Sequence, residues 1–276
     1  LSNGNLFCPS STEGSLGWRL HFEVTKDGGK TWRQVGPIQG DKDTQGIQPS
    51  ILDHGKGKLQ ILARSRNRAI LTSWSYDNGE TWTPLEKSNL PNNNSGTDAL
   101  TASNGKHYLI YNHVLPPGDL AKGPRTPLNL SVSNDGINWS AALIVEDSPI
   151  SQYSYPSIIQ TKDGLLHVIY TWRRQKIKHA VINPKKLKIV KITEGKWPVV
   201  KGYTAPEETK VNSNSVNYNA DGAKTGGTSM FNPQRNTEKN HALNLNYRLK
   251  TDTLGGVLGI DADYVRYDNS KNETFW

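Results

Sequence analysis

One short pattern recurs along this chain and limits what it can fold into. Ser75-Tyr76-Asp77-Asn78-Gly79-Glu80-Thr81-Trp82 fits S-x-D-x-G-x-T-W, and Thr25 to Trp32 is a second copy. Ser133-Asn134-Asp135-Gly136-Ile137-Asn138-Trp139 is a third, one residue shorter. The physics of the pattern implies a β-hairpin turn. Asp accepts hydrogen bonds from turn amides, Gly supplies a positive φ, and Trp packs between neighbouring sheets. Such a turn about every fifty residues predicts a radial array of small sheets, an all-β propeller.

Aligning the three boxes brings the segments before them into register. Gly57 to Arg64, Gly105 to Asn112 and Gly164 to Thr171 are alike and read as second strands of a blade, with Asn5 to Pro9 a weaker copy. First strands precede them at Pro49–Leu52, Asp98–Thr101 and Pro156–Ile159. Third strands follow at His21–Val24, Ile70–Trp74, Leu128–Val132 and Ile177–Ile182. The runs are short, β-branched and bounded by Gly, Asn, Asp and Pro, as strands are, and helical periodicity is absent. This predicts four blades, the first without its inner strand. Strand 1 begins and strand 2 ends at one end of a blade, so the boxes fall on the end opposite Gln48, Arg64, Asp98, His113, Tyr155 and Arg173.

Composition narrows the partners. All of the +8 formal charge belongs to residues 1–199, because residues 200–276 hold nine basic and nine acidic side chains. A basic module favours anionic partners such as acidic sugars or nucleic acid, with a solvated basic surface as the alternative. No basic run interleaved with aromatics and no nucleic-acid motif is present, which argues against RNA or DNA. There is no run of eighteen apolar residues, so no transmembrane helix is expected. Cys8 is the single cysteine, which excludes an internal disulfide and a thiolate metal site. No cofactor motif, metal-ligand spacing, Walker motif, G-x-S-x-G or H-E-x-x-H occurs. The chain opens on Leu1-Ser2-Asn3-Gly4, in the manner of mid-domain sequence, and is expected to be a fragment whose localisation is not readable.

Residues 1–198 resemble the sialidase (neuraminidase) superfamily with Asp-box repeats. The resemblance rests on the boxes and on Gln48-Pro49-Ser50-Ile51-Leu52, Asn94-Ser95-Gly96-Thr97-Asp98 and Tyr153-Ser154-Tyr155-Pro156. It implies a six-bladed propeller, of which about four blades are present, and retaining hydrolysis of terminal sialic acids in the periplasm or outside the cell. Sialic acid carries a carboxylate on its anomeric carbon, which would repel an anionic nucleophile. Such enzymes use a Tyr activated by a Glu, an arginine triad that grips the carboxylate, and an Asp that protonates the leaving oxygen.

By the resemblance, Arg64, seven residues after Gly57, falls where the second triad arginine belongs. Arg125, eight before Ser133, falls where the third belongs. Tyr155, eight before Asp163, falls at the nucleophile. The activating Glu aligns with Gln48, whose amide can hydrogen-bond but cannot take the phenolic proton. The first arginine and the acid Asp would belong to blades preceding residue 1. Asp98 is the candidate replacement carboxylate, with a turn residue as the alternative. His113 and Arg173 are candidate sugar contacts, with solvated rim residues as the alternative.

Beyond Glu194-Gly195-Lys196-Trp197-Pro198 the character changes. Residues 199–240 read as polar linker or disorder. In 241–276, Leu243, Leu245, Tyr247 and Leu249 alternate with polar residues, as do Leu258, Ile260, Ala262 and Tyr264 beyond a turn at Thr251–Gly256. The alternation predicts a β-hairpin. It resembles a piece of a Bacteroidetes-type outer-membrane β-barrel or TonB-dependent receptor, with an ordinary antiparallel hairpin packed on the propeller as the alternative. One hairpin cannot close a barrel, so this tail is read as the product of a gene fusion or of an assembly chimera. Three functions follow: a sialidase-like hydrolase of acidic glycans, a non-catalytic acidic-glycan-binding propeller, and a chimeric fragment without a function of its own.

Overall fold

A computed structural model describes residues 1–198 apart from 2, 3, 16, 42 and 148–151, together with four strand backbones farther along. The chain divides into two compact units, Leu1–Thr209 and Lys210–Trp276.

The first unit is all-β. Its strands are β1 Leu6–Gly14, β2 Gly17–Thr25, β3 Arg33–Val35, β4 Gly46–Asp53, β5 Leu59–Ser65, β6 Ala69–Ser75, β7 Glu86–Pro91, β8 Asp98–Thr101, β9 His107–Tyr111, β10 Leu128–Ser133, β11 Trp139–Glu146, β12 Tyr153–Gln160, β13 Leu166–Trp172, β14 Lys176–Ile182 and β15 Val190–Lys191. They form four antiparallel sheets: β1-β2-β3, β4-β5-β6-β7, β8-β9-β10-β11-β15 and β12-β13-β14. These are the four blades expected from the repeat. The first has no inner strand among the described residues. One addition was not foreseen: β15 returns from beyond the fourth blade to pair with β11 of the third.

Packing follows from strand parity. Successive side chains point to opposite faces, so each central strand can feed two cores. Ile61 and Ala63 of β5 join Leu20, Phe22 and Leu71 between the first and second blades. Leu62 instead joins Leu52, Leu109, Tyr111 and Trp139 between the second and third. A third cluster, including Ile110, Leu130, Tyr153, Ile158, Val168 and Tyr170, joins the third and fourth. All seven residues of β5 are buried.

The Asp boxes are built as their chemistry requires. Asp77 accepts from the Thr81 amide at 2.9 Å and from the Ser75 hydroxyl at 2.8 Å. The Trp82 indole donates to the Gly79 carbonyl at 3.1 Å. In the shorter box, burial would raise the Asp135 carboxyl, but hydrogen bonds from Asn138, Ile137 and Ser133 outweigh it and hold the pKa at about 2. Trp82 stacks on Phe22 between blades, with ring centroids 4.6 Å apart, and Trp139 is buried. Trp32 departs from this pattern and is 50% exposed, since its blade is the first of the described arc.

In the second unit, β16 Ser215–Tyr218 pairs with β17 Lys224–Thr228, a hairpin inside the stretch read as linker. The rest of that stretch lies outside the described residues. β18 Lys239–Lys250 pairs with β19 Val257–Asp268, giving the tail hairpin. Its register sets Leu243 opposite Tyr264, Leu245 opposite Ala262 and Tyr247 opposite Ile260, while Asn246 meets Asp261. Apolar positions thus match apolar positions.

Candidate functional site

The site forms where the inner strands begin. The register of β4 skips from Ile47 to Pro49, which leaves Gln48 as the extra residue of a β-bulge, at φ 55°. In β12 the register jumps from Ser154 to Ser157 around Tyr155, at φ 50°. Both bulged residues precede a Pro-Ser-Ile, so one local sequence makes one local geometry twice. Bulges re-aim a side chain away from the alternation of the strand.

Tyr155 presents its ring to solvent, 49% exposed, while Arg64, at the end of β5, is 7% exposed. Asn94 Oδ1 accepts from Arg64 Nε at 3.0 Å, and Gln48 Oε1 accepts from Arg64 Nη1 at 3.2 Å. The guanidinium of Arg64 also lies over the Trp18 ring, 5.3 Å from its centroid. Arg125 covers the Tyr155 ring at 5.1 Å, and its Nη1 donates to Gln152 Oε1 at 3.4 Å. Gly96 sits beneath this group. A Cβ there would lie 3.2 Å from both Gln48 Oε1 and Tyr155 Cδ1, so glycine allows the two to approach across it.

Charge follows geometry. A hydrogen bond from Arg125 holds the Tyr155 phenol below its ordinary pKa; burial opposes this, and the charges of Arg125 and Arg64 with a second hydrogen bond from Arg64 reinforce it. Burial lowers the pKa of Arg64, and Tyr155 opposes the shift. The Glu13 carboxylate, on β1, lies within electrostatic reach of Arg64. The Tyr155 phenol thus lies beside two guanidinium groups, both of which favour its ionised form.

Gln48, Arg64, Arg125 and Tyr155 are therefore brought together. Three other sequence candidates are engaged elsewhere. Asp98 Oδ1 accepts from the Ser50 hydroxyl at 2.8 Å and from the Ala99 amide at 2.9 Å, and Oδ2 accepts from the Ile158 amide at 2.9 Å. It joins the inner strands of three blades. His113 is half-buried, with Nδ1 on the Tyr111 hydroxyl, Nε2 on the Gly195 carbonyl at 2.7 Å and its ring beside Trp197. Burial lowers its pKa. Arg173 lies over the Trp172 ring at 4.4 Å and donates from Nε to the Tyr153 hydroxyl at 3.5 Å. Sequence reading missed Asn94, Gly96, Gln152 and Glu13 as neighbours of the site. Asn94 and Gly96 lie in a motif already singled out, but their contacts depend on blade packing.

Among the described residues no group of three or more His, Cys, Asp or Glu could hold a metal ion.

Comparison with known proteins agrees with this architecture. Residues 1–168 match the model of the BNR repeat-like domain. A point mutant of the NanB sialidase from Streptococcus pneumoniae is similar in structure, with a TM-score of 0.52 and 17% identity over 67% of this chain and 30% of that one. The same sialidase in complex with a chlorobenzylammonio-ethanesulfonate gives 0.52 and 17% over 66% and 30%. An intramolecular trans-sialidase from Ruminococcus gnavus gives 0.48 and 16% over 68% and 42%. The likeness is one of fold, and the chain spans 30% of the length of the NanB structures. No curated protein matches it. The chain belongs to the BNR repeat-like domain family, and its fold is similar to that of sialidases.

Proposed function

We propose that residues 1–198 form a sialidase-like module acting on terminal acidic sugars, with Tyr155 as nucleophile. The observation that carries this reading is the Tyr155 phenol held beside both Arg64 and Arg125, which lower its pKa. The lowered phenol pKa works in the direction of the carboxylate base that the resemblance would put at Gln48. Positive charge favours the phenolate directly, while Gln48 keeps Arg64 in place by accepting from Nη1. The same two guanidinium groups would draw a sugar carboxylate to the ring, which sets the anomeric carbon near the phenol oxygen. Attack by that oxygen on the anomeric carbon forms a tyrosyl–sugar bond as the glycosidic C–O bond breaks and the aglycone leaves as an oxyanion that takes its proton from water. A second water then adds at the anomeric carbon, gives its proton to solvent and returns the phenolate, releasing the sugar with retention. Asp98 is assigned to strand pairing in this reading.

The test uses the full chain and an aryl sialoside whose phenol leaves without protonation, so that the assay reads the nucleophile alone. The expected result is release of the aryl group by the native chain and loss of more than a hundredfold in Tyr155→Phe. Equal rates in the two would refute the nucleophile role. Saturable binding of N-acetylneuraminic acid without turnover, retained in Tyr155→Phe, would favour the second reading, a glycan-binding propeller. The half-exposed Tyr155 ring and the absence of a carboxylate at position 48 favour that alternative.

A further inference from the structure

Arg125 does not belong to a strand. It ends a strap, residues 116–125, that runs from the end of β9 toward β10, and the strap has little apolar anchorage of its own: Leu120 is 61% exposed. Its last residue is tied to the fourth blade, where the Tyr153 amide donates to the Arg125 carbonyl at 2.8 Å, and the rest is held by polar bonds from the preceding blade. Arg68 Nη2 donates to the Pro116 carbonyl and Nη1 to the Gly118 carbonyl, each at 2.7 Å. Farther along, Asn94 Nδ2 donates to the Ala121 carbonyl at 3.1 Å. The Gly123 amide donates to the Asn93 carbonyl at 3.0 Å, and Asn93 Nδ2 donates to the Pro124 carbonyl.

Asn94 therefore has two roles with one amide. Its oxygen receives Arg64 Nε, and its nitrogen grips the strap that carries Arg125. It is 3% exposed and held at φ 62°, a conformation Asn tolerates better than other non-glycine residues. Asn92 locks the turn from behind, its Oδ1 accepting from the amides of Asn94 and Ser65. Arg64 and Arg125 come from different blades, and Asn94 bonds both to Arg64 and to the strap that carries Arg125.

We propose that Asn94 is the positioning residue of the site, fixing Arg64 and the Arg125 strap to one amide so that both guanidinium groups meet the Tyr155 phenol together. This rests on reading Tyr155, Arg64 and Arg125 as one site, but it requires no particular substrate. The geometry predicts that the two arginines lose their joint hold on the phenol when that amide is removed, although neither arginine is altered. Asn94→Gly is the suitable variant, because Gly adopts φ 62° without strain and deletes both hydrogen bonds.

The experiment is a spectrophotometric phenol titration of the full chain, with the Tyr155→Phe spectrum subtracted to isolate Tyr155 from the other tyrosines. The native chain should show a midpoint below that of a free phenol; a native midpoint at the free-phenol value would refute the reading of the site itself. Given a depressed native midpoint, Asn94→Gly should move it upward toward the free-phenol value, with the thermal unfolding curve showing a folded chain. An unchanged midpoint in folded Asn94→Gly would overturn the proposal. Should that variant not fold, Asn94→Ser, whose side chain is too short to reach both Arg64 Nε and the Ala121 carbonyl, is expected to shift the midpoint in the same direction. No shift there would overturn it equally.

Discussion

Replacing Asp98 by Ala should cost the propeller stability rather than chemistry, and the size of the loss can be worked from its bonds. The bond from the Ala99 amide is local, so the two that matter across blades are Ser50 Oγ to Oδ1 at 2.8 Å and the Ile158 amide to Oδ2 at 2.9 Å. A hydrogen bond to a charged acceptor contributes roughly 1.5–3 kcal/mol, so the pair sets an upper range of roughly 3–6 kcal/mol. Asp98 is only partly buried, and water can re-satisfy some of what is lost, which lowers the expectation to about 2–4 kcal/mol. Urea unfolding of the full chain followed by tryptophan fluorescence reads this directly, because seven of its eight Trp lie within residues 1–198. With a urea m-value of about 2–3 kcal/mol/M, the midpoint should fall by about 1 M. Asp98→Asn keeps an acceptor for Ser50 but turns an NH2 toward the Ile158 amide, so it should recover only part of the difference. An unchanged midpoint in Asp98→Ala, together with loss of sialoside turnover, would refute the structural assignment and return Asp98 to the chemistry.

Two further outcomes follow from the same geometry. Gly96→Ala places a methyl 3.2 Å from Gln48 Oε1 and from the Tyr155 ring, so affinity for N-acetylneuraminic acid, measured calorimetrically, should fall about tenfold while the unfolding midpoint moves little. His107 is buried against His54, with rings 4.2 Å apart, and burial first and that neighbour second lower its pKa to about 4. Its neutral form is the one the fold accepts, so its contribution is complete above the unfolded value near 6.5 and is lost as pH falls toward about 4. His107→Gln should flatten the melting temperature against pH across that window; an undiminished slope would place the acid sensitivity elsewhere.

The blades were legible because their signals are local. Each Asp box closes its bonds within five residues, and each second strand follows a glycine at a fixed offset, so counting from Gly57, Gly105 and Gly164 located β5, β9 and β13. The grouping of Gln48, Arg64, Arg125 and Tyr155 came from the family resemblance and from the face that the strand ends share. What stayed hidden depends on distances between blades. Asp98 occupies the register level of Ser50 and Ser157, each opposite the residue five after its blade glycine, and only assembled inner strands show that its carboxylate lies between neighbours of the same rank. Counting back two residues from that level gives Gln48, Gly96 and Tyr155, and no one-dimensional pattern distinguishes the glycine that must be small from those that make turns. The β15 return was equally opaque, since a two-residue strand carries no periodicity.

The bulges at Gln48 and Tyr155 carry a consequence for how this module would respond to selection. A left-handed backbone costs an ordinary side chain about 1–2 kcal/mol relative to glycine, and the fold carries that cost at both positions. Under selection for thermal tolerance alone, both sites should drift toward Gly or Asn, and the drifted proteins should melt higher. A library scored for stability would thus tend to lose the Gln48 and Tyr155 side chains, whereas one scored for glycan turnover or capture would keep them. Positions 48 and 155 are where durability and use compete within this chain, and comparing the two enrichments there would separate what the propeller needs to stand from what it is kept for.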